Sequence, residues 1–202
     1  MDRKTLNIAS LSLLVIGLVA GVVFLLATPD LPRGTTFGEP YPPAPDFTLT
    51  RVSGDSFQLS ANSGHLILLF FGYTSCPDVC PTTLAELNLA LQELKPEDAA
   101  QVKVVFVTVD PERDTPDRVK EYVNHFNSGF IGLSGTESGL AQIWQGFGIF
   151  REVVDSGSAA GYLVDHTARV TLIDRDGNMR ISFPYNAPLG DIIHDLKLLL
   201  KE

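Results

Sequence analysis

Residues 65–84 read HLILLFFGYTSCPDVCPTTL. Leu66 to Tyr73 is an unbroken apolar run, the pattern of a strand buried on both faces. Cys76 and Cys80 follow, the only two cysteines in the chain. Pro81 suits the first turn of a helix, and Leu84, Leu87, Leu91 and Leu94 recur at helical spacing. The stretch therefore reads as strand, cysteine pair, then a helix over Pro81–Leu94 with Cys80 immediately before it. The partial positive charge of a helix N-terminus favours thiolate over thiol, which predicts lowered pKa values for both sulfurs. In helical geometry the two Cα atoms lie roughly 6 Å apart, within disulfide reach. As a staple, however, the pair closes a loop of only about five residues, where the stabilisation is smallest. The sulfurs are placed for chemistry.

The flanking sequence supplies the rest of a fold. Upstream, DFTLTRVSGDSFQLS (46–60) has alternating apolar residues on both sides of Ser53-Gly54-Asp55, a hairpin pattern. Downstream, VKVVFVTVD (102–110) is a second buried strand. Thr115-Pro116-Asp117 opens a helix expected to run to about Asn127. FIGLSG (130–135) reads as a short strand, and Glu137–Phe147 as a helix with Trp144 in the core. RVTLIDRDGNMRISF (169–183) is a hairpin turning at 175–178, and an amphipathic helix closes the chain over Pro188–Leu200. Strands alternating with helices imply a three-layer α/β/α sandwich with a mixed central sheet. A strand that delivers a cysteine pair to a helix is the thioredoxin-like arrangement.

Before this domain lies LNIASLSLLVIGLVAGVVFLLA, Leu6 to Ala27, 22 residues without a charge. That length spans a hydrocarbon layer of about 30 Å as a helix. It exceeds the usual apolar region of a removable signal peptide and favours a retained transmembrane helix. Arg3 and Lys4 precede the span and only Arg33 closely follows it, so the tip is expected in the cytoplasm and the remainder exported. Residues 1–28 are thus read as tip and anchor, the Pro/Gly-rich 29–45 as a tether, and 46–202 as the domain. All of the 24 acidic residues but Asp2, and all of the 15 basic ones but Arg3 and Lys4, lie beyond the span, a formal charge of −10. Such a balance excludes a basic patch for nucleic acid or anionic lipid.

Two sulfurs leave a metal under-coordinated, which directs attention to the four histidines. His65 lies at the far end of the strand from the cysteines, and His125 and His194 lie in helices. His166, in VDHTARVTLID, is expected in the loop entering the hairpin, across from the dithiol. Two thiolates and an imidazole suit copper, since soft sulfur stabilises Cu(I) and imidazole accepts Cu(II). A structural zinc site needs four protein ligands, and no fourth is evident.

FFGYTSCPDVCPTTL, VTVDPERDTP and VDHTARVTLID, in this order and spacing, resemble the Sco/SenC family of membrane-anchored copper proteins of cytochrome c oxidase assembly. The resemblance runs from about Pro45 to the C-terminus and includes the anchor. It implies one copper per chain on Cys76, Cys80 and His166, and a role in maturing the dinuclear copper site of oxidase subunit II. A copper donor chaperone and a thioredoxin-like reductant are implied as further partners. Thr167 stands where many members have serine. The topology fits a bacterial inner membrane with the domain in the periplasm. Further expectations are that Asp165 orients His166, that Asp78 supports the site or shapes its turn, and that Asp110, Arg113 and Asp114 form a partner-facing or structural loop. A thiol–disulfide oxidoreductase using Cys76 and Cys80 on a periplasmic partner is the competing reading, but it gives His166 no task. A peroxidase is disfavoured by the residues flanking Cys76.

Overall fold

The computed structural model describes residues 14, 16–19, 21, 30–51, 53–155, 157 and 161–202. The chain divides into two units, 1–31 and 32–202. In the first, Leu14, Ile16–Val19 and Gly21 are helical. Most of the expected span Leu6–Ala27 lies outside the described residues. Among the described residues no helix is long and apolar enough to cross a membrane.

The second unit is built on a six-stranded mixed sheet. Its centre is β4 (Leu66–Gly72), all seven residues of which are buried. It pairs in parallel with β5 (Val102–Thr108) on one side and antiparallel with β9 (Arg169–Ile173) on the other. A strand hydrogen-bonded on both edges and covered on both faces has no place for a polar side chain, and this explains the unbroken run LILLFF. Beyond β5 lies β6 (Ile131–Leu133), also parallel. Beyond β9 lie β10 (Met179–Pro184) and β1 (Thr35–Thr36), each antiparallel to its neighbour. The hairpin β2 (Thr48–Thr50) and β3 (Ser56–Gln58) forms as expected, as a separate two-stranded sheet.

Residues 30–45 do more than their composition suggests. β1 extends the sheet, and the amides of Arg33 and Gly34 each donate to the buried carboxylate of Asp195, at 2.8 Å. A Cβ on Gly34 would meet Ile181 at 2.5 Å and Phe183 at 2.7 Å, so only glycine fits this close approach.

The helices differ from the sequence pattern mainly at their ends. α1 is Val79–Gln92, two residues earlier than expected at each end, and a short α2 (Pro96–Ala99) follows. α3 runs Pro116–Asn124, capped by the Thr115 hydroxyl accepting from Arg118 N. It stops before Asn127 because the chain turns there, with Phe130 N donating to Asn127 O and Gly129 N to the Asn127 side chain. α4 is Glu137–Gly146 and α5 Leu189–Leu199.

One element was not anticipated. β7 (Arg151–Val154) and β8 (Leu163–His166) form an antiparallel two-stranded sheet. His166 is therefore the last residue of a strand, not part of a loop.

Candidate metal centre

The C-terminal end of β4 aims the chain at the site. Gly72 ends the strand, and a Cβ there would lie 2.8 Å from both Cys80 Sγ and a Phe106 ring carbon. The missing side chain is what lets the Cys80 sulfur sit on the strand end. Cys80 is fully buried and lies in the first turn of α1, not before it. Cys76 is half-buried, and its sulfur accepts the Cys80 backbone N–H at 3.3 Å. The two sulfurs are not bonded to each other.

This placement separates the two thiols electrostatically. Cys76 is lowered to about 4: the Cys80 thiol donates to its sulfur, outweighing burial, with His166 and the amides of Cys80 and Asp78 adding to the effect. Cys80 moves the opposite way. Its hydrogen bond to the Cys76 thiolate and its burial both hold the proton on. The expectation of two lowered pKa values is thus met at one sulfur and reversed at the other, because the half-buried Cys76 thiolate forms first and then opposes a second charge beside it.

His166 reaches over from β8. Its Nε2 lies 3.7 Å from Cys80 Sγ, and Tyr73, itself buried, presents its ring edge-on to the imidazole at 5.8 Å between centroids. His166 Nδ1 is 3.3 Å from the Thr167 carbonyl oxygen. A proton on Nδ1 donated there leaves the Nε2 lone pair facing the sulfurs. Asp165 does not orient the ring. It is exposed on the opposite face of the hairpin, and a backbone carbonyl takes the position expected for its carboxylate. Asp78 occupies the helix N-cap position, where its carboxylate accepts from Thr82 at 3.3 Å; it acts on Cys76 through its amide.

The segment Asp110–Asp114 clamps the two halves of the site together. Asp114 is buried and accepts from Thr74 N (3.0 Å), Thr74 Oγ1 (2.5 Å) and Thr108 Oγ1 (2.7 Å), fixing the turn before Cys76. Burial raises its pKa, and the bonds from Thr74 and Thr108 oppose the rise. Asp110, also buried, accepts from Arg113 Nε (2.5 Å) and from Tyr162 Oη (2.7 Å). Arg113 in turn donates to Tyr162 O and stacks on the Tyr162 ring at 3.7 Å. Burial and the bond to Asp110 push the Tyr162 hydroxyl up to about 12, so it keeps the proton it donates. Tyr162 immediately precedes β8, so this network positions the His166 strand. Tyr162 gave no signal in the sequence, because its partners lie about fifty residues away.

The remaining histidines are elsewhere. His65 precedes β4 at the end remote from the cysteines, His125 Nδ1 contacts Glu121 O, and His194 Nδ1 contacts Asp195. Among the described residues no three His, Cys, Asp or Glu side chains are spaced to hold a metal as they stand. The 3.7 Å between Cys80 Sγ and His166 Nε2 is nonetheless compatible with a shared ion. Sulfur and imidazole ligands bonded at about 2.3 and 2.0 Å at a tetrahedral angle lie roughly 3.5 Å apart.

The family model for SCO1/SenC matches residues 38–201. The chain belongs to the SCO1/SenC family. The SCO2-like protein RP587 of Rickettsia prowazekii is 35% identical to it over 202 residues, covering 98% of both chains. The solution structure of apo Sco1 from Thermus thermophilus matches with a TM-score of 0.75 at 35% identity, over 84% of this chain and 98% of that one. ScoI of Bradyrhizobium japonicum, solved with copper bound, matches at 0.69 and 36% identity, over 77% and 98%. The mixed α/β, thioredoxin-like fold of this SCO1/SenC chain agrees with both.

Proposed function

We propose that this chain holds one copper ion between Cys76, Cys80 and His166 and serves the assembly of cytochrome c oxidase, delivering copper to the dinuclear site of subunit II or preparing its cysteines. The observation that carries the reading is the convergence of a β8 imidazole on a buried sulfur at 3.7 Å, 86 residues away in sequence. Nothing in the packing of the thiols alone requires that ring. The donor set is soft, and Nε2 carries the free lone pair when Nδ1 donates to Thr167 O. Membership of the SCO1/SenC family and likeness to ScoI, solved with copper bound, support the same cargo. The charge-free segment Leu6–Ala27 and the basic residues before it support a single-pass anchor in a bacterial inner membrane, with a cytoplasmic tip and a periplasmic domain. A copper donor and a thioredoxin-like reductant complete the set of partners.

A second reading has its own support. A half-buried cysteine lowered to about 4 beside a buried, protonated one is also the asymmetry of a thiol–disulfide exchange pair. Copper titration of the full-length reduced chain, followed by mixing with the copper-free copper-site domain of subunit II, separates the two. The delivery reading predicts one copper per chain and its appearance on the acceptor. Reduction of an oxidised acceptor by the copper-free chain at the same rate, with no copper bound, favours exchange.

A further inference from the structure

The β7–β8 hairpin has two unlike faces. Its register sets Arg151 opposite His166, Glu152 opposite Asp165, Val153 opposite Val164 and Val154 opposite Leu163. Residues directly opposite share a face, and successive residues alternate between faces. Arg151, Val153 and Val164 share the His166 face; Arg151 and Val164 pack inward, while Val153, farther along the hairpin from His166, is 48% exposed. Arg151 lies over Trp144 at 5.0 Å and donates to Val109 O, and Val164 is buried. The other face carries Glu152, Val154, Leu163 and Asp165. Phe150 extends it, held by mutual bonds with Thr167.

That outward face combines two costly features. Phe150 is 59% exposed and Val154 37%, so apolar surface is left in water. Glu152 and Asp165 are exposed and stand directly across from one another, and neither has an ion-pair partner among the described residues. Like charges at such a pair, with Cβ atoms roughly 5 Å apart, repel and weaken the hairpin. A sheet shaped only for its own stability would place a threonine or a cation at one of them. Both features sit on the back of the strand that ends in His166.

We propose that this face is the docking surface for the protein that exchanges copper with the site, through a partner surface bearing lysine or arginine beside an apolar side chain. The commitment to a cationic partner follows from the uncompensated carboxylates and from the formal charge of −10 carried beyond residue 28, which steers a basic surface toward it. Phe150 supplies the apolar anchor and the carboxylate pair the rim. Contact here bears directly on β8, so docking and the position of the His166 ring are linked. The inference rests on the copper-exchange reading above.

The test uses the full-length chain in detergent and the copper-free copper-site domain of oxidase subunit II. Affinity is measured for the wild type, Glu152→Lys and Phe150→Ala, at low and at physiological salt. Glu152→Lys is expected to weaken binding about tenfold and to flatten its salt dependence. Phe150→Ala is expected to weaken binding about fivefold. Circular dichroism and copper stoichiometry should match the wild type in both variants. Variants that bind as tightly as the wild type overturn the proposal, as does a wild type that does not bind the domain. Self-association of the chain, or calcium uptake lost in Glu152→Gln, in place of partner binding overturns it too. Failure of the copper reading is seen separately, as a wild type that takes up no copper before the partner is added. The same affinity series on the copper-free chain then decides the docking face.

Discussion

The two halves of the site are held in unlike ways. The cysteine half stands on β4, seven buried residues bonded on both edges, and leads directly into a 14-residue helix. The histidine half stands on a two-stranded hairpin of four-residue strands, with one face in solvent. Isolated two-stranded sheets are marginal in water. This one is kept in place by a few side-chain clasps: Tyr162 on Asp110, Arg113 on the Tyr162 carbonyl and ring, and Arg151 on Val109 and Trp144. The contrast teaches that the sulfurs are preorganised by the core while the imidazole is positioned by a replaceable polar network. One fixed and one movable side would suit the copper delivery proposed above, which needs both grip and release.

The largest expected effect falls on the fixed side. Gly72→Ala would push a Cβ to 2.8 Å from Cys80 Sγ and Phe106. Overpacking of this kind costs about 1–3 kcal/mol, readable by urea unfolding, and the displaced sulfur should lower copper retention in the same variant. A smaller loss follows on the movable side. Tyr162→Phe removes a hydrogen bond to the buried Asp110 carboxylate and should cost about 1.5 kcal/mol globally, the low end for a charged acceptor because Arg113 still serves it, yet it should speed copper dissociation. If Tyr162→Phe released copper at the wild-type rate, the division into a fixed and a movable half would be wrong. The smallest effect is a matter of pH and leaves the fold intact. Because Cys76 is lowered to about 4, its thiolate should alkylate at a steady rate down to mildly acidic solution and slow only as pH falls through that value. Cys80 should stay unlabelled, since burial and the neighbouring thiolate keep it protonated. Equal labelling of both would erase the asymmetry.

The same contrast governs what was legible in the sequence. A strand buried on both faces writes itself as LILLFF, and a helix start writes itself as Thr115-Pro116-Asp117; both were found in place. The β7–β8 hairpin was not legible. Its strands are short, one face is exposed and mixes apolar with acidic residues, and the hairpin is held by residues far along the chain, such as Val109 and Asp110. The motif around Asp110–Asp114 could be seen as special, but not how it acts. Asp114 bonds Thr74, forty positions away, and no local pattern encodes such a contact. Cys80 shows a further limit. The helix N-terminus argued for a lowered pKa, but that argument omits the second sulfur, which decides which thiol ionises. The Pro and Gly content of the segment before Asp46 reads as a tether and does not show its anchoring contacts, because Gly34 and the Arg33 amide meet their partners only once β10 and α5 are formed.

Visible thiolate-to-Cu(II) absorption of the full-length chain, titrated in the wild type and in His166→Ala, most directly tests whether the β8 imidazole completes the site. Saturation at one copper per chain is expected in the wild type, with an altered band and clearly weakened retention of Cu(II) in His166→Ala while the unfolding midpoint stays close to the wild type. An unchanged spectrum and affinity in that variant would remove His166 from the site.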